Sequence, residues 1–379
     1  MSNSPVEPRT AVPPQSSLTA NLGALFGSHA IGLVVPLLTV PYLARVLRPE
    51  GWAPVLVAQA LASWVVLLLD YGFDLSGTRA VAVARARGDD VGEIVWGIQG
   101  AKLLLIPFAS LLMLVAALTV PALRDDRVLA IWTCVFALAR GLNPFWYFQG
   151  LERVRSAVTI DTTCKVLGVL GVLFVVHEPA HGWRVLALQA CFALLSLLLL
   201  TWRLTGEVPP RALSVRTAVA TLLGSWTLFA FRASSTLYMQ ANTVILGLWG
   251  SSAAVAAYGG AERVVRAAIN LLEPATRVFL PRVSYLGASD PVRAGQLIRR
   301  SLVLLTAAAT AIGAALALLA PVVVTLLLGT GYEDAVPVLR VLALLVPIIA
   351  IGTVLGAFWA LPFGRDRVML SVTASAGML

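Results

Sequence analysis

The sequence is poor in charged residues. Only 12% of its residues are charged, whereas soluble domains average about 25%, and 59% are hydrophobic. This composition, with a mean hydropathy of +0.86, excludes an ordinary soluble protein. Apolar runs recur roughly every 25 to 40 residues with short polar breaks. The 379 residues therefore predict an all-α, polytopic membrane protein that forms one membrane-embedded unit.

Cysteine and histidine are also scarce, with three of each. Cys134, Cys164 and Cys191 fall inside predicted apolar spans, where they are typical of small core residues and form neither a disulfide framework nor a CxxC pair. The stretch HEPAH, from His177 to His181, lies between spans and does not match the helical HExxH zinc signature. We therefore predict no metal site and no cofactor.

Catalytic signatures are missing as well. The sequence has no phosphate loop of P-loop spacing and no GxSxG motif, and its longest loops, about 204–217 and 281–298, are too short for a catalytic domain. The net charge of +9 comes from basic residues dispersed among loops. Such dispersal is first a topology signal and argues against a nucleic-acid partner. We expect a transporter and not an enzyme.

The apolar runs can be placed after a polar start. Residues 1–18 hold four prolines and no apolar block, which predicts a disordered cytosolic tail and not a cleaved signal peptide. Ten complete spans of about 20 residues and a fragment follow, at about 22–43, 53–75, 94–120, 128–149, 157–176, 183–202, 218–248, 253–280, 299–328, 335–360 and 367–379.

Flanking arginines predict the orientation of these spans, because cytosolic loops carry an excess of Arg and Lys. With the amino terminus inside, the cytosolic side receives Arg9, Arg79, Arg85, Arg87, Arg153, Arg155, Arg203, Arg211, Arg216, Arg282, Arg293, Arg299, Arg300, Arg365 and Arg367. The opposite side receives only Arg45, Arg48, Arg124, Arg127 and Arg184. We therefore predict a cytosolic amino terminus.

Eight further basic residues lie within the predicted spans or close to their ends: Lys102, Arg140, Lys165, Arg232, Arg263, Arg266, Arg277 and Arg340. A charge near the bilayer centre costs about 2.5–3.5 kcal/mol on insertion scales, so such residues usually face a cavity or a partner. Lys102 and Lys165 are expected either to snorkel to an interface or to line a cavity. Arg140 and Arg340 fit a cavity or an interhelical tie equally well.

The eighth span carries the densest polar stripe. Glu262, Arg266, Asn270, Glu273 and Arg277 fall within about 80° of one another on a helix. In one interpretation the two glutamates pair with the arginines one turn later and neutralise them. In the other, which we favour, the stripe lines a water-accessible cavity that holds an anionic substrate.

Acidic residues recur in two other spans. Gln59, Ser63, Asp70 and Asp74 share one narrow face of the second span. Since Asp70 and Asp74 are like charges one turn apart, we interpret them either as a candidate ion-coupling pair or as carboxylates at the membrane edge. In the fifth span Asp161 precedes Lys165 by four residues, which is the favourable order for a helical ion pair.

Five segments together resemble a known family. They are LLTVPYLARVLRPEGW (Leu37–Trp52), LLDYGFDLSGTRAVA (Leu68–Ala82), NPFWYFQGLERV (Asn143–Val154), FRASSTLYMQANTVILG (Phe231–Gly247) and LLGTGYEDAVPVLRVLAL (Leu327–Leu344). The chain resembles, over about residues 20–360, the bacterial polysaccharide flippases of the multidrug/oligosaccharidyl-lipid/polysaccharide exporter superfamily. It departs from their pattern at Arg48, where the family usually has glycine, and at Ala53 and Pro54, which predict a stiffer first outer loop.

The resemblance implies two six-helix lobes around a central cavity. The first lobe would span 19–203 and the second 218–379, joined by a cytosolic loop at 204–217. The second lobe is expected to be incomplete, since the chain stops in the eleventh span. At Asn143–Arg155, which the orientation places at the cytosolic face, we expect Trp146 and Tyr147 to form an interfacial aromatic belt.

The resemblance also implies a function. Such a protein would move undecaprenyl-diphosphate-linked oligosaccharides across the bacterial inner membrane by alternating access, with a polysaccharide polymerase and chain-length proteins as partners. The alternatives are a multidrug cation exporter or a peptidoglycan-precursor flippase of the same superfamily. Arginine binds phosphate bidentately, so the expected diphosphate contacts are Arg266, Arg277, Arg263, Arg232, Arg140 and Lys102, with Glu262, Glu273, Asn270, Asp161 and Lys165 completing the cavity wall.

Overall fold

The computed structural model describes residues 15–272 and 290–356, together with the single positions 279, 282, 283 and 286. Its elements are α1 Gln15–Asp70, α2 Phe73–Arg87, α3 Gly92–Thr119, α4 Pro121–Arg124, α5 Arg127–Gly141, α6 Phe145–Gly150, α7 Val154–Val175, the 3₁₀ turn Pro179–His181, α8 Gly182–Glu207, α9 Val215–Trp249, α10 Ser252–Asn270, α11 Pro291–Leu318, α12 Ala320–Leu327, α13 Ala335–Ala343 and α14 Leu345–Thr353. No strand occurs among these residues, so the all-α prediction is confirmed.

Seven helical stretches within the described ranges are long and apolar enough to cross a membrane. They are Leu38–Arg87, Gly92–Thr119, Arg127–Gly150, Val154–Val175, Pro179–Glu207, Val292–Leu318 and Ala335–Gly356. The predicted seventh span falls within α9, in which Val215–Ala230 is an apolar stretch shorter than a span. The predicted eighth span begins in α10, whose Glu262, Arg263 and Arg266 keep it outside this apolar set. The predicted fragment 367–379 lies outside the described residues.

The first two predicted spans form one element, α1, that bends at Arg48. This arginine has φ 55° and ψ 174°, a conformation that glycine adopts more readily than any other residue. Helical residues continue directly on both sides, so the expected outer loop is replaced by a kink. Nearby, a side chain at Gly51 would collide with the backbone of Pro179, which explains the small residue beside the bend.

The second half of α1 lies at the centre of the bundle. It packs against α3, α5, α7, α9 and α10, and the consecutive residues Val55, Leu56, Val57 and Ala58 are all buried. Close approach of α10 depends on small residues, since a Cβ at Gly259 would lie 2.8 Å from the Leu56 side chain. This central position makes the polar face of α1 available to several helices at once.

A second core lies under α2 and corrects one prediction. Trp146 and Tyr147 are each only 2% exposed, so they do not form an interfacial belt. The chain breaks between α5 and α6 at 142–144 and turns α6 inward, where the Thr78 hydroxyl donates to the Trp146 carbonyl at 3.1 Å. Gly150 lets α6 approach α2, because a Cβ there would lie 2.8 Å from the Thr78 carbonyl oxygen.

The loop between α12 and α13 holds the later helices against α1. Gly329 takes φ 93°, and three residues later the buried Tyr332 donates its hydroxyl to the Ala44 carbonyl at 2.8 Å. Tyr332 also packs edge-on against Trp52, with ring centroids 5.9 Å apart. These contacts join α1, near its kink, to the loop between α12 and α13. We call them the Trp52–Tyr332 contact.

Candidate functional site

A cavity of about 300 Å³ lies between α1, α5 and α9. Its polar lining consists of Ser63 and Asp70 from α1, Arg140 from α5, and Arg232 and Thr236 from α9. Ser63 and Asp70 belong to the polar face predicted for the second span, and both arginines were predicted as cavity residues. The structure brings these four together, although they come from three helices distant in sequence. We call this the central cavity.

Arg232 of α9 forms an ion pair with Asp74 of α2. Arg232 lies 2.5 Å from the Asp74 carboxylate, whose side chain is 28% exposed. The partners of Asp70 and Asp74 are therefore different, because Asp70 faces Lys102 and Asp74 faces Arg232. The two carboxylates predicted to interact with each other are each matched with a cation, as expected for charges in a low-dielectric interior.

Lys102 lies behind the cavity and not on its surface. The side chain is fully buried, and its ammonium donates to the Gly141 carbonyl at 2.7 Å and lies 3.4 Å from Asp70. Gly141 is the last residue of α5, so the cation stabilises the negative end of that helix. Lys102 is therefore buried and does not snorkel, and it is not among the residues that line the cavity.

A second network supports Arg140 from outside the cavity. Arg140 lies 2.9 Å from Asp161 of α7, and Lys165 lies 2.6 Å from the other oxygen of the same carboxylate. The Ser196 hydroxyl of α8 also donates to Asp161, at 3.2 Å. The i,i+4 pair expected for Asp161 and Lys165 is present, and it shares its carboxylate with the cavity arginine.

Arg263 of α10, which lies beside the predicted polar stripe, meets α1 one turn away from the cavity lining. Arg263 donates to the Gln59 side chain, and its guanidinium lies 5.5 Å from the centre of the Trp52 ring. Glu262 pairs with Arg266 in the same helix, as the self-pairing interpretation predicts for these two. Asn270 is the final residue of α10. Glu273 and Arg277 lie outside the described residues.

Two side chains that support the site are not among the residues predicted from the sequence. Gln189 of α8 accepts from the Gln59 amide at 3.1 Å, and Ser196 accepts from the Asn143 amide at 3.3 Å. Each is a lone polar residue within an apolar run, in LALQACF and LLSLLL. That isolation was the available signal, because a polar group in a membrane helix normally needs a partner from another helix.

The arrangement is suited to binding an anion. The cavity surface presents two guanidinium groups and one carboxylate, and each arginine has five donors in a fork that fits phosphate oxygens. Other charged side chains pair with these lining residues, or with one another, from outside the cavity: Asp74, Lys102, Asp161 and Lys165. Among the described residues, no group of three or more His, Cys, Asp or Glu side chains is placed to hold a metal ion.

Comparison with known proteins places the chain in a family. A family model described as polysaccharide biosynthesis protein matches residues 18–286. The chain is 27% identical over 369 residues to a protein of Escherichia coli (strain K12) named "Putative O-antigen transporter", covering 96% of this chain and 88% of that protein. It is 24% identical over 353 residues to a protein of the same name from Shigella dysenteriae, covering 92% and 87%.

A solved structure shares the fold. It is described as the inward-facing conformation of a multidrug resistance MATE family transporter of the MOP superfamily, and it superposes with a TM-score of 0.60 at 15% identity, covering 91% of this chain and 87% of that one. The resemblance drawn from the five sequence segments is confirmed. The chain is a multi-pass membrane protein that belongs to the polysaccharide biosynthesis protein family.

Proposed function

We propose that the protein is a flippase that moves undecaprenyl-diphosphate-linked oligosaccharide repeat units from the cytosolic to the outer leaflet of a bacterial inner membrane. The family match, the names of the two relatives and the transporter fold support this function. The sugar and diphosphate would cross inside the protein while the polyprenyl chain stays in lipid. A polysaccharide polymerase and chain-length proteins would act on the product as partners.

The central cavity is the observation that carries the proposal. Arg140 and Arg232 lie on its surface, and each is held by a single aspartate at 2.9 or 2.5 Å. A diphosphate carries more charge than a carboxylate and matches the guanidinium fork, so it can replace Asp74 as the partner of Arg232. Since Asp74 is on α2 and Arg232 is on α9, this exchange would release a tie between the two predicted lobes.

The Trp52–Tyr332 contact would determine which side of the protein is open. With the amino terminus in the cytosol, the Trp52–Tyr332 contact would lie at the outer end of the bundle. Arg45 there also donates to the Leu326 carbonyl. Closure at this end would leave the cavity to load from the cytosolic side. Rocking of the predicted lobes would then break the Trp52–Tyr332 contact and open the outer side, as alternating access requires.

Cavity charge separates this function from drug export. A site for cationic drugs is expected to be acidic, whereas the lining here has two arginines against one aspartate. A peptidoglycan precursor carries the same diphosphate, so only the cargo assay distinguishes that alternative. Among the described residues, α10 adds Arg263 and Arg266 against Glu262, so the charge balance stays cationic.

Complementation tests the proposal. In a strain that lacks its O-antigen flippase, the wild-type chain should restore long-chain lipopolysaccharide at the surface. The variant Arg140→Gln/Arg232→Gln should lower that product at least about tenfold, because each lost charge-assisted phosphate contact is among the stronger hydrogen bonds. Arg266→Gln/Arg277→Gln, which removes two cations of the stripe predicted for the eighth span, should abolish that product in the same assay.

The matched control is Arg124→Gln/Arg127→Gln, which removes two charges at α4 and α5 outside the cavity and should export normally. Membrane levels of every variant are measured by immunoblot. Normal export by Arg140→Gln/Arg232→Gln at normal levels would refute the cavity assignment. If the chain rescued a strain depleted of its peptidoglycan-precursor flippase but did not restore O-antigen, the proposed oligosaccharide cargo would be wrong.

A further inference from the structure

A second polar pocket lies where α7 begins and α8 ends. Its volume is about 410 Å³, and it is lined by Arg153, Arg155, Ser156, Thr159, Ile160 and Arg203. None of these residues lines the central cavity. We call this the α7–α8 pocket.

The pocket carries unused positive charge. Arg155 and Arg203 are exposed and form no ion pair within the described part of the chain, whereas Arg153 lies 3.9 Å from Glu207. That glutamate also accepts a hydrogen bond from Tyr147 at 3.0 Å, so its charge is shared. Three guanidinium groups against one distant carboxylate leave a net positive pocket that an anion can enter.

Hydroxyl groups complete the polar lining. Thr159 donates to the Arg155 carbonyl at 2.8 Å, which leaves the lone pairs of its oxygen exposed, and Ser156 lies one turn from residue 160 on the pocket side. The donors that point into the pocket are therefore mainly the two unpaired arginines. This combination resembles the chemistry of phosphate sites, in which arginine forks provide most of the contacts.

The surface beside the pocket is apolar and faces outward. Immediately before Arg203, the α8 side chains of Trp202, Leu199, Leu198 and Leu195 are 73%, 37%, 64% and 40% exposed. An exposed tryptophan at the end of a membrane helix typically sits at the headgroup level, with leucines facing acyl chains. A basic pocket next to such a face matches the two halves of one lipid molecule.

We propose that the α7–α8 pocket binds the phosphate headgroup of an anionic phospholipid, whose acyl chains lie along the exposed leucines of α8. A free phosphate would use the arginines but would gain nothing from the apolar flank. The site is independent of the cargo proposed above, and it would fix the start of α7 and the end of α8 to one leaflet.

Lipid binding to the full-length protein tests this site. The protein is purified in detergent, and phosphatidylglycerol or phosphatidylcholine is titrated while the bound fraction is measured by native mass spectrometry. Wild type should retain phosphatidylglycerol in preference to phosphatidylcholine. Arg155→Gln/Arg203→Gln should weaken phosphatidylglycerol binding about tenfold or more, since it removes both unpaired cations.

A charge-matched variant provides the control. Arg299→Gln/Arg300→Gln removes two exposed arginines of α11 and should keep wild-type lipid retention. Equal binding by the pocket variant and wild type, or an equal loss in the α11 variant, would overturn the proposal. So would glycerol phosphate competing as well as the lipid, because the ligand would then be a soluble phosphoester, or undecaprenyl phosphate displacing phosphatidylglycerol at a much lower mole fraction.

Discussion

The arginines of the central cavity and those of the α7–α8 pocket differ in how their charge is balanced. Arg140 and Arg232 lie 2.9 and 2.5 Å from an aspartate, whereas Arg155 and Arg203 form no ion pair in the described part of the chain. A cation inside the bundle needs a resident anion because burial in a low dielectric is costly. A cation at the surface is hydrated and needs none. The cavity arginines must therefore exchange an aspartate for the cargo when they bind it. The pocket arginines need only release bound water.

The largest effect is expected for the two lysines, one buried and one exposed. Lys102 is fully buried, whereas Lys165 is 55% exposed, although both lie near an aspartate. Lys102→Met should cost about 3 kcal/mol, because it leaves Asp70 and the end of α5 without their cation. Lys165→Met should cost less than about 1 kcal/mol, since Asp161 keeps Arg140. The apparent melting temperature of each variant in detergent measures the difference, and equal melting would contradict the burial argument.

The pair between Asp74 and Arg232 should show an intermediate effect. Their side chains are 28% and 43% exposed, so a double-mutant cycle with Asp74→Asn and Arg232→Gln should give a coupling of about 1–2 kcal/mol. Arg232→Gln alone should destabilise more than Asp74→Asn alone, because it leaves the Asp74 carboxyl beside Asp70 without its cation. The same melting assay measures all three variants. Additive effects would mean that the pair is no tie between α2 and α9.

Helical periodicity and charge spacing predicted the local parts of this site. The pairs formed by Asp161 with Lys165 and by Glu262 with Arg266 lie within one turn, so their spacing in the sequence determines them. Gln59 is predicted on a polar face and Arg263 as a basic residue within a span, yet nothing in the sequence states that α1 and α10 meet there. Partners on different helices depend on tertiary packing, which a single sequence does not encode by spacing.

Three residues are buried where the sequence predicts an interface or a cavity, and one feature of the fold explains all three. Trp146, Tyr147 and Lys102 all lie close to the break between α5 and α6, which turns a short helix inward. A run of aromatics beside a proline is equally compatible with a membrane interface and with a buried corner. The kink in α1 also could not be predicted. A glycine at position 48 would indicate a turn, but the residue there is arginine, and its left-handed backbone is seen only in the structure.

The smallest effect is expected for an ion pair outside the spans. Asp90 lies 2.6 Å from Arg211 and also accepts a hydrogen bond from the Gly92 backbone at 2.8 Å, and these two partners, the backbone first, lower the pKa of its carboxyl below 3.8. A lowered folded-state pKa means that the ionised form stabilises the fold above pH 3.8 and that this contribution is lost as the pH falls through the lowered value.

Asp90→Asn should therefore lower the apparent melting temperature only slightly at pH 7, and the difference from wild type should shrink as the pH falls below 3.8 and vanish once the carboxyl is protonated in the folded protein. Salt at about 0.5 M should weaken the effect at pH 7, since exposed charges are screened over a few ångströms. Asp74→Asn, measured beside it, should keep most of its effect in salt because its partner is half-buried. A loss for Asp90→Asn as large and as salt-resistant as that of Asp74→Asn would show that ion pairs in this protein are not ranked by burial, and the contrast between cavity and surface arginines would lose its basis.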